Sequence, residues 1–170
     1  MNRLLRISIP LIIICIVSGV TLTASYSLTE ERIKEVEERK INESLLSIFP
    51  GASFNKTADY YTAMAQGEEI GYVFIAEGKG YSGTIKTLVG MYPNDTISRI
   101  YVISQTETPG LGTRIAEPEF TNQFMGKRIE DLRLRRDGGL IDAITGATIS
   151  SRAITETVRT GAEVVRNETR

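Results

Sequence analysis

Apolar residues are gathered first into one run. Positions 7–26 are mostly apolar and uncharged, and about 20 such residues span a hydrocarbon core of about 30 Å. Arg3 and Arg6 precede the run, whereas Glu30 and Glu31 are among the first charges after it. The positive N-terminal flank predicts an anchor with its N-terminus in the cytoplasm and the rest of the chain outside. Pro10 lies near the start of the span, where it is tolerated. A cleaved signal peptide competes with this reading, because Thr23-Ala24-Ser25 is a small-residue stretch open to cleavage. The run is longer than the usual signal core, which favours a retained anchor. Ile14 stands before Cys15 where lipoprotein signals need a small residue, so Cys15 reads as a small hydrophobe within the span.

After the span the pattern becomes periodic. Residues 28–48 form a charged helix, with Thr29 as its cap and Ile33, Val36, Ile41, Leu45 and Ile48 as an approximate apolar stripe. The acidic-basic stretch at 37–40 is a solvated face. The helix continues from the span as a stalk that docks on the following domain, and Pro50-Gly51 ends it. Strand-like runs follow at 60–64, 70–77, 85–91 and 97–104, with a turn at 78–80. Pro93-Asn94-Asp95 joins the last two as an antiparallel hairpin. A short helical stretch near 119–125 precedes a polar region at 127–137, and Gly138-Gly139 leads into a short strand at 140–144. The last element, 149–168, places Ile154, Val158, Ala162 and Val165 at a period of about 3.6 residues. Strands first and a long helix last make the class α+β. Three segments result: 1–27 as cytoplasmic N-terminus and anchor, 28–50 as stalk and docking helix, and 51–170 as the domain.

Composition narrows the chemistry. The 170 residues suffice for one span and one domain of roughly 120–140 residues, large enough to bury a core without disulfides. The net charge of −1 supplies no basic footprint for nucleic acid. The chain has no His, which excludes a Ser-His triad and His-ligated zinc or haem. Its single Cys, Cys15, lies in the apolar run, so the domain has neither disulfides nor thiolates for an iron–sulfur cluster. Redox chemistry here requires a bound organic cofactor.

Three segments carry candidate chemistry. Gly80-Tyr81-Ser82-Gly83-Thr84-Ile85 is a glycine-rich turn entering a strand. It is either a tight hairpin turn or a place where a planar ring or phosphate approaches backbone beside Tyr81 and Gly83. Glu107-Thr108-Pro109-Gly110-Leu111-Gly112 carries a type II turn signal at Pro-Gly. It also joins a carboxylate, a hydroxyl and an apolar side chain in one short loop, the groups that suit the edges and face of a polar heteroaromatic ring. Asp142-Ala143-Ile144-Thr145-Gly146-Ala147-Thr148 runs into the last helix. Gly146 and Ala147 leave room for a bulky phosphate, and a helix N-terminus offers N–H groups and a positive dipole end. The same residues also serve as a plain turn and helix cap. Asp142 reads as a ligand in the chemistry of a modifying enzyme or as a loop-fixing acceptor. Asn42, Asn55, Asn94 and Asn167 each begin an Asn-X-Ser/Thr triplet, a pattern that arises often by chance.

The heptapeptide resembles the acceptor motif of flavin transferases: Asp, two free positions, Ser or Thr, then Gly, Ala and Thr. Thr145 takes the hydroxyl position where Ser is frequent. With the glycine-rich turn, the Glu107–Gly112 loop and the N-terminal anchor in the same order, nearly the whole chain resembles the G subunit family of Rnf electron-transport complexes. It is similar, more distantly, to the C subunit of the sodium-pumping NADH:quinone oxidoreductase. The resemblance implies an extracytoplasmic FMN-binding domain with a largely antiparallel sheet and a C-terminal helix. It implies FMN joined covalently, through its phosphate, to the Thr148 hydroxyl. Asp142, Thr145, Gly146 and Ala147 become the sequence read by a flavin transferase. Glu107, Thr108, Leu111 and Gly112 become flavin neighbours, with Tyr81 and Gly83 beside them. Function is then electron relay among other membrane subunits of an ion-translocating, ferredoxin-linked complex, with substrate chemistry elsewhere. Two alternatives stand: the FMN-binding domain of another membrane reductase or regulatory system, and a non-redox extracytoplasmic scaffold.

Overall fold

The computed structural model describes residues 2–170, with side-chain surroundings described from Ser8 onward. Arg3 and Arg6, on which the expected orientation rests, lie outside the described side chains. The chain divides into two units, Met1–Arg39 and Lys40–Arg170. Helix α1 (Asn2–Ile48) makes up the first and contributes its last turns to the second. Within the first unit Ile12, Ile14, Ile16 and Val17 are all exposed, so the helix is apolar all round, as a lipid-facing helix is. It is long and apolar enough to cross a membrane. Thr21 and Thr23 donate their hydroxyls to the carbonyls of Val17 and Gly19 at 2.8 and 2.9 Å, which satisfies polar groups within the apolar stretch.

The second unit is built on five strands: β1 (Ser53–Lys56), β2 (Tyr60–Ala65), β3 (Glu68–Lys79), β4 (Thr84–Met91) and β5 (Ile97–Ser104). They pair antiparallel in sequence order, a simple meander. The alternation of side chains along a strand explains two separate cores. Tyr72, Phe74 and Ala76 of β3, with Ile85, Val89 and Met91 of β4, enter one cluster. Val73 and Leu88 point the other way and meet Leu45, Ile48 and Phe49. Burial on both faces is why β3 and β4 read as nearly continuous apolar runs. Helix α1 ends at Ile48, and Gly51 at φ +77° turns the chain into the sheet.

Helix α3 (Thr148–Glu168) covers the first face. Ile154, Val158, Ala162 and Val165 are all buried, as their spacing requires. Burial of each of the three larger side chains contributes about 1.5–3 kcal/mol. Two glycines set the distance: a Cβ on Gly161 would lie 2.6 Å from Phe74 Cε2, and one on Gly78 would strike the Thr157 hydroxyl.

Several expected boundaries move. β3 runs through Lys79, so the turn lies at 80–83, where Gly80 N–H donates to the Gly83 carbonyl at 2.8 Å. The expected strand at 140–144 is reduced to one bridge between Leu134 and Ile141, because Gln123 takes both backbone groups of Asp142. The polar region 127–137 forms 3-10 turns that send Ile129, Leu132 and Leu134 into the core. The helical stretch near 119–125 is a single α-turn, α2 (Pro118–Thr121), continued by a 3-10 turn.

Candidate functional site

A cavity of about 580 Å³ opens at the N-terminus of α3, within the range of about 300–1,000 Å³ common for small-molecule sites. Three segments that are distant in sequence wall it: Tyr81 from the 80–83 turn, Glu107, Thr108, Leu111 and Gly112 from the loop after β5, and residues 146–150. Each wall follows from local chemistry. Leu111 N–H donates to the Thr108 carbonyl at 3.2 Å and Gly110 sits at φ +75°, which is the type II turn that Pro109-Gly110 predicts. Gly146 at φ +82° reverses the chain so that Ala147 N–H donates to the Ile144 carbonyl at 2.9 Å. A Cβ on Gly146 would approach Leu111 Cδ2 to 3.1 Å, so this glycine also lets the two loops meet.

The helix begins one residue earlier than its periodicity suggests, at Thr148. Ala147 is the N-cap, and among the described residues no side chain caps the helix. Thr148 is therefore the first helical residue, half-buried, on the cavity wall. Its hydroxyl is not spent on a cap. Ser151 instead ties the turn to the helix, donating its hydroxyl to the Ala147 carbonyl at 2.9 Å and accepting Ile144 N–H at 3.1 Å.

Glu107 is buried, and its carboxylate holds the walls together. It accepts N–H groups from Ser82 at 3.0 Å and Tyr81 at 3.3 Å, and the hydroxyl of Ser150. Its own N–H donates to Gln105 Oε1 at 2.6 Å. Burial alone would raise the Glu107 carboxyl; the Ser150 hydroxyl and the backbone N–H groups of Ser82, Tyr81 and Gly83 outweigh it and hold it below the usual glutamate value. The folded pKa is lowered, so Glu107 contributes stability that is fully present above the unfolded value and lost as pH falls through the folded one. We expect the thermal midpoint to drop on acidification below about pH 4.3, and the drop to be shallower in Glu107→Gln. A calorimetric pH series on both proteins measures it; parallel curves would refute the assignment.

The remaining predicted residues lie elsewhere. Asp142 and Thr145 line a separate groove of about 190 Å³ with Arg114, Glu117 and Gln123. Arg135 donates to both Asp142 oxygens at 2.7 and 3.1 Å, and the guanidinium holds that exposed carboxyl below its usual value. Gly83 is not among the described residues that line the cavity, and a Cβ on it would strike the Thr106 hydroxyl. Ile149 and Ser150 also line the cavity, beyond the expected flavin neighbours. Ile149 departs from the apolar period of α3, and that departure is the signal the sequence offers.

FMN has an apolar ring face, polar ring edges and a phosphate. Leu111, Ile149 and Tyr81 supply apolar surface, and all three are substantially exposed. The α3 N-terminus, without a side-chain cap, supplies backbone N–H groups suited to a phosphate. The residues present fit the group.

Residues 80–163 match the model of the FMN-binding domain family. The chain is 33% identical over 171 residues to the G subunit of the proton-translocating ferredoxin:NAD(+) oxidoreductase complex of Clostridium ljungdahlii, covering 96% of this chain and 92% of that protein. It is 29% identical to the G subunit of the ion-translocating oxidoreductase complex of Methanosarcina acetivorans, covering 96% and 95%. Among solved structures, the C subunit of the Na(+)-translocating NADH-quinone reductase from Parabacteroides distasonis aligns with a TM-score of 0.52 and 25% identity, covering 65% of this chain and 62% of that one. Shewanella oneidensis NqrC shares the fold, with a TM-score of 0.51 over 68% of this chain and 69% of its own. The chain thus belongs to the family of Rnf-type G subunits of ion-translocating oxidoreductase complexes and carries an FMN-binding domain.

Proposed function

We propose that this chain is a membrane-anchored electron-relay subunit, with FMN held in a phosphoester to Thr148 Oγ1. The observation that carries the reading is the position of Thr148: first residue of α3, without a cap role, on the wall of the cavity at the helix N-terminus. When bound, FMN supplies the capacity to accept and pass on electrons one or two at a time. The protein's own residues do the rest. Gly146 and Ala147 keep the approach to Thr148 clear, and the first-turn N–H groups face the phosphate charge. Leu111, Ile149 and Tyr81 exclude water from the ring. Thr108 and the backbone around Gly112 face its polar edges.

Attachment is made by a separate flavin transferase with FAD as donor. The Thr148 oxygen forms a bond to the phosphorus on the FMN side of the pyrophosphate, the P–O–P bond breaks, AMP leaves, and the hydroxyl proton passes to the transferase. Asp142 and Thr145 lie in the neighbouring groove rather than on the cavity wall, which leaves them accessible to that enzyme. Other membrane subunits of the ion-translocating complex are the redox partners. Residues 1–27 anchor the chain, 28–50 form the stalk and docking helix, and 51–170 hold the flavin.

Intact mass of the full chain, co-expressed with the transferase, tests the reading. A gain of one FMN less one water, on a band that fluoresces in a denaturing gel, is expected; an unmodified dark band would overturn it. The N-terminus is placed in the cytoplasm and the flavin domain outside. A reporter that is active only outside the cytoplasm, fused after Arg170, should be active, and a silent but intact fusion would reverse this orientation.

A further inference from the structure

Among the described residues that line the cavity, Glu107 carries the acidic charge, and the walls are shaped around it. A Cβ on Gly80 would lie 2.4 Å from Glu107 Oε1, and one on Gly112 would lie 2.7 Å from Glu107 Cβ. Two glycines from separate segments thus make room for one side chain. Its oxygens accept from Ser82 and Tyr81 N–H in the 80–83 turn and from the Ser150 hydroxyl in the first turn of α3. An ionised carboxylate is acceptor-only and suits three converging donors, whereas an amide would turn hydrogens toward at least one of them.

We infer that Glu107 is a positioning residue that also sets the potential of the site: it clasps the 80–83 turn to the start of α3 and leaves a fixed negative charge in the cavity wall, which lowers the reduction potential of the bound flavin. The inference rests on the reading that this cavity holds FMN. Its electrostatics are direct. Reduction that delivers more electrons than protons adds negative charge to the ring, and a buried carboxylate nearby opposes that gain more strongly than it would in water. The N-terminus of α3 acts with the opposite sign. The Ser150 hydroxyl offsets part of the carboxylate charge, because a hydrogen bond to an ionised acceptor is a strong one. Removing the charge and removing this donor therefore move the potential in opposite directions. A role confined to holding the fold predicts no such opposition.

The test is a spectroelectrochemical titration at pH 7 of the full chain, loaded by co-expressed transferase and held in detergent. Glu107→Gln should have a more positive midpoint potential than the unsubstituted protein. Ser150→Ala should have a more negative one, since the carboxylate keeps its charge and loses a donor. A Glu107→Gln potential equal to or below that of the unsubstituted protein would overturn the inference. If Glu107→Gln does not fold or take up flavin, Ser150→Ala decides alone: a negative shift supports the inference and an unchanged or positive value overturns it. An unsubstituted chain that takes up no flavin sinks the reading beneath the inference, whereas flavin with unmoved potentials sinks the inference only.

Discussion

Thr148→Ala should yield a folded protein without covalent flavin. The substitution removes the one oxygen through which the phosphoester forms, so the expected loss is complete rather than partial. Stability should change little. Thr148 is half-buried, stands at the first helical position, and does not cap α3. Substitutions of this kind lie within about 0.5 kcal/mol, and Ala is the better helix former. Intact mass, gel fluorescence and a circular dichroism melt on the same preparation separate the two effects. Thr148→Ser restores a hydroxyl at the same place and should recover modification. Thr145→Ala, altered in the neighbouring groove, should lower modification without abolishing it. Covalent flavin persisting in Thr148→Ala would remove Thr148 as the attachment point, whatever else the cavity binds.

The sequence made some of this structure legible because local chemistry and tertiary structure demand the same thing there. Pro109-Gly110 specifies a type II turn, and Gly110 takes the positive φ that turn needs. Ile154, Val158, Ala162 and Val165 share one face of α3, and that face is buried. The hairpin of β4 and β5 stands where Pro93-Asn94-Asp95 puts it. Where the two demands diverge, pattern reading failed. β1 is exposed along most of its length, so no alternation marks Ser53–Lys56 as a strand. The apolar run around Ile141 looks like a strand, yet Gln123 rather than a neighbouring strand satisfies the Asp142 backbone. Ile129, Leu132 and Leu134 are scattered among charges, and short turns bring them into the core one at a time. Glu107 stands out in sequence for the groups its loop offers a ring, and it lines the cavity, but its carboxylate's contacts within the protein are not legible there. Its partners come from residues 25 to 43 positions away, a convergence that one stretch of sequence does not display.

Phe124→Ala should bring the largest loss of stability and should weaken the attachment motif through it. Phe124 is fully buried and meets Phe120 edge to face, with ring centroids 5.6 Å apart. Truncating a buried Phe costs about 3–5 kcal/mol, against a total of about 5–15 kcal/mol for a typical domain. The neighbouring Gln123 carries the consequence to the site. Its side chain accepts Asp142 N–H at 2.7 Å and donates to the Asp142 carbonyl at 3.3 Å, fixing the start of the motif. With Phe124 gone, the turn that presents Gln123 loses its anchor, and Asp142 loses both backbone partners while keeping Arg135. Urea unfolding of the detergent-solubilised chain should show an earlier midpoint, with covalent flavin reduced in the protein that remains folded. Phe124→Leu keeps most of the buried volume and should cost clearly less on both measures. Gln123→Ala, which leaves the core intact, should lower flavin attachment with little change in the unfolding midpoint. Normal attachment in both Phe124→Ala and Gln123→Ala would mean that the motif is held by Arg135 and the Gly146 turn, without the clamp from Gln123.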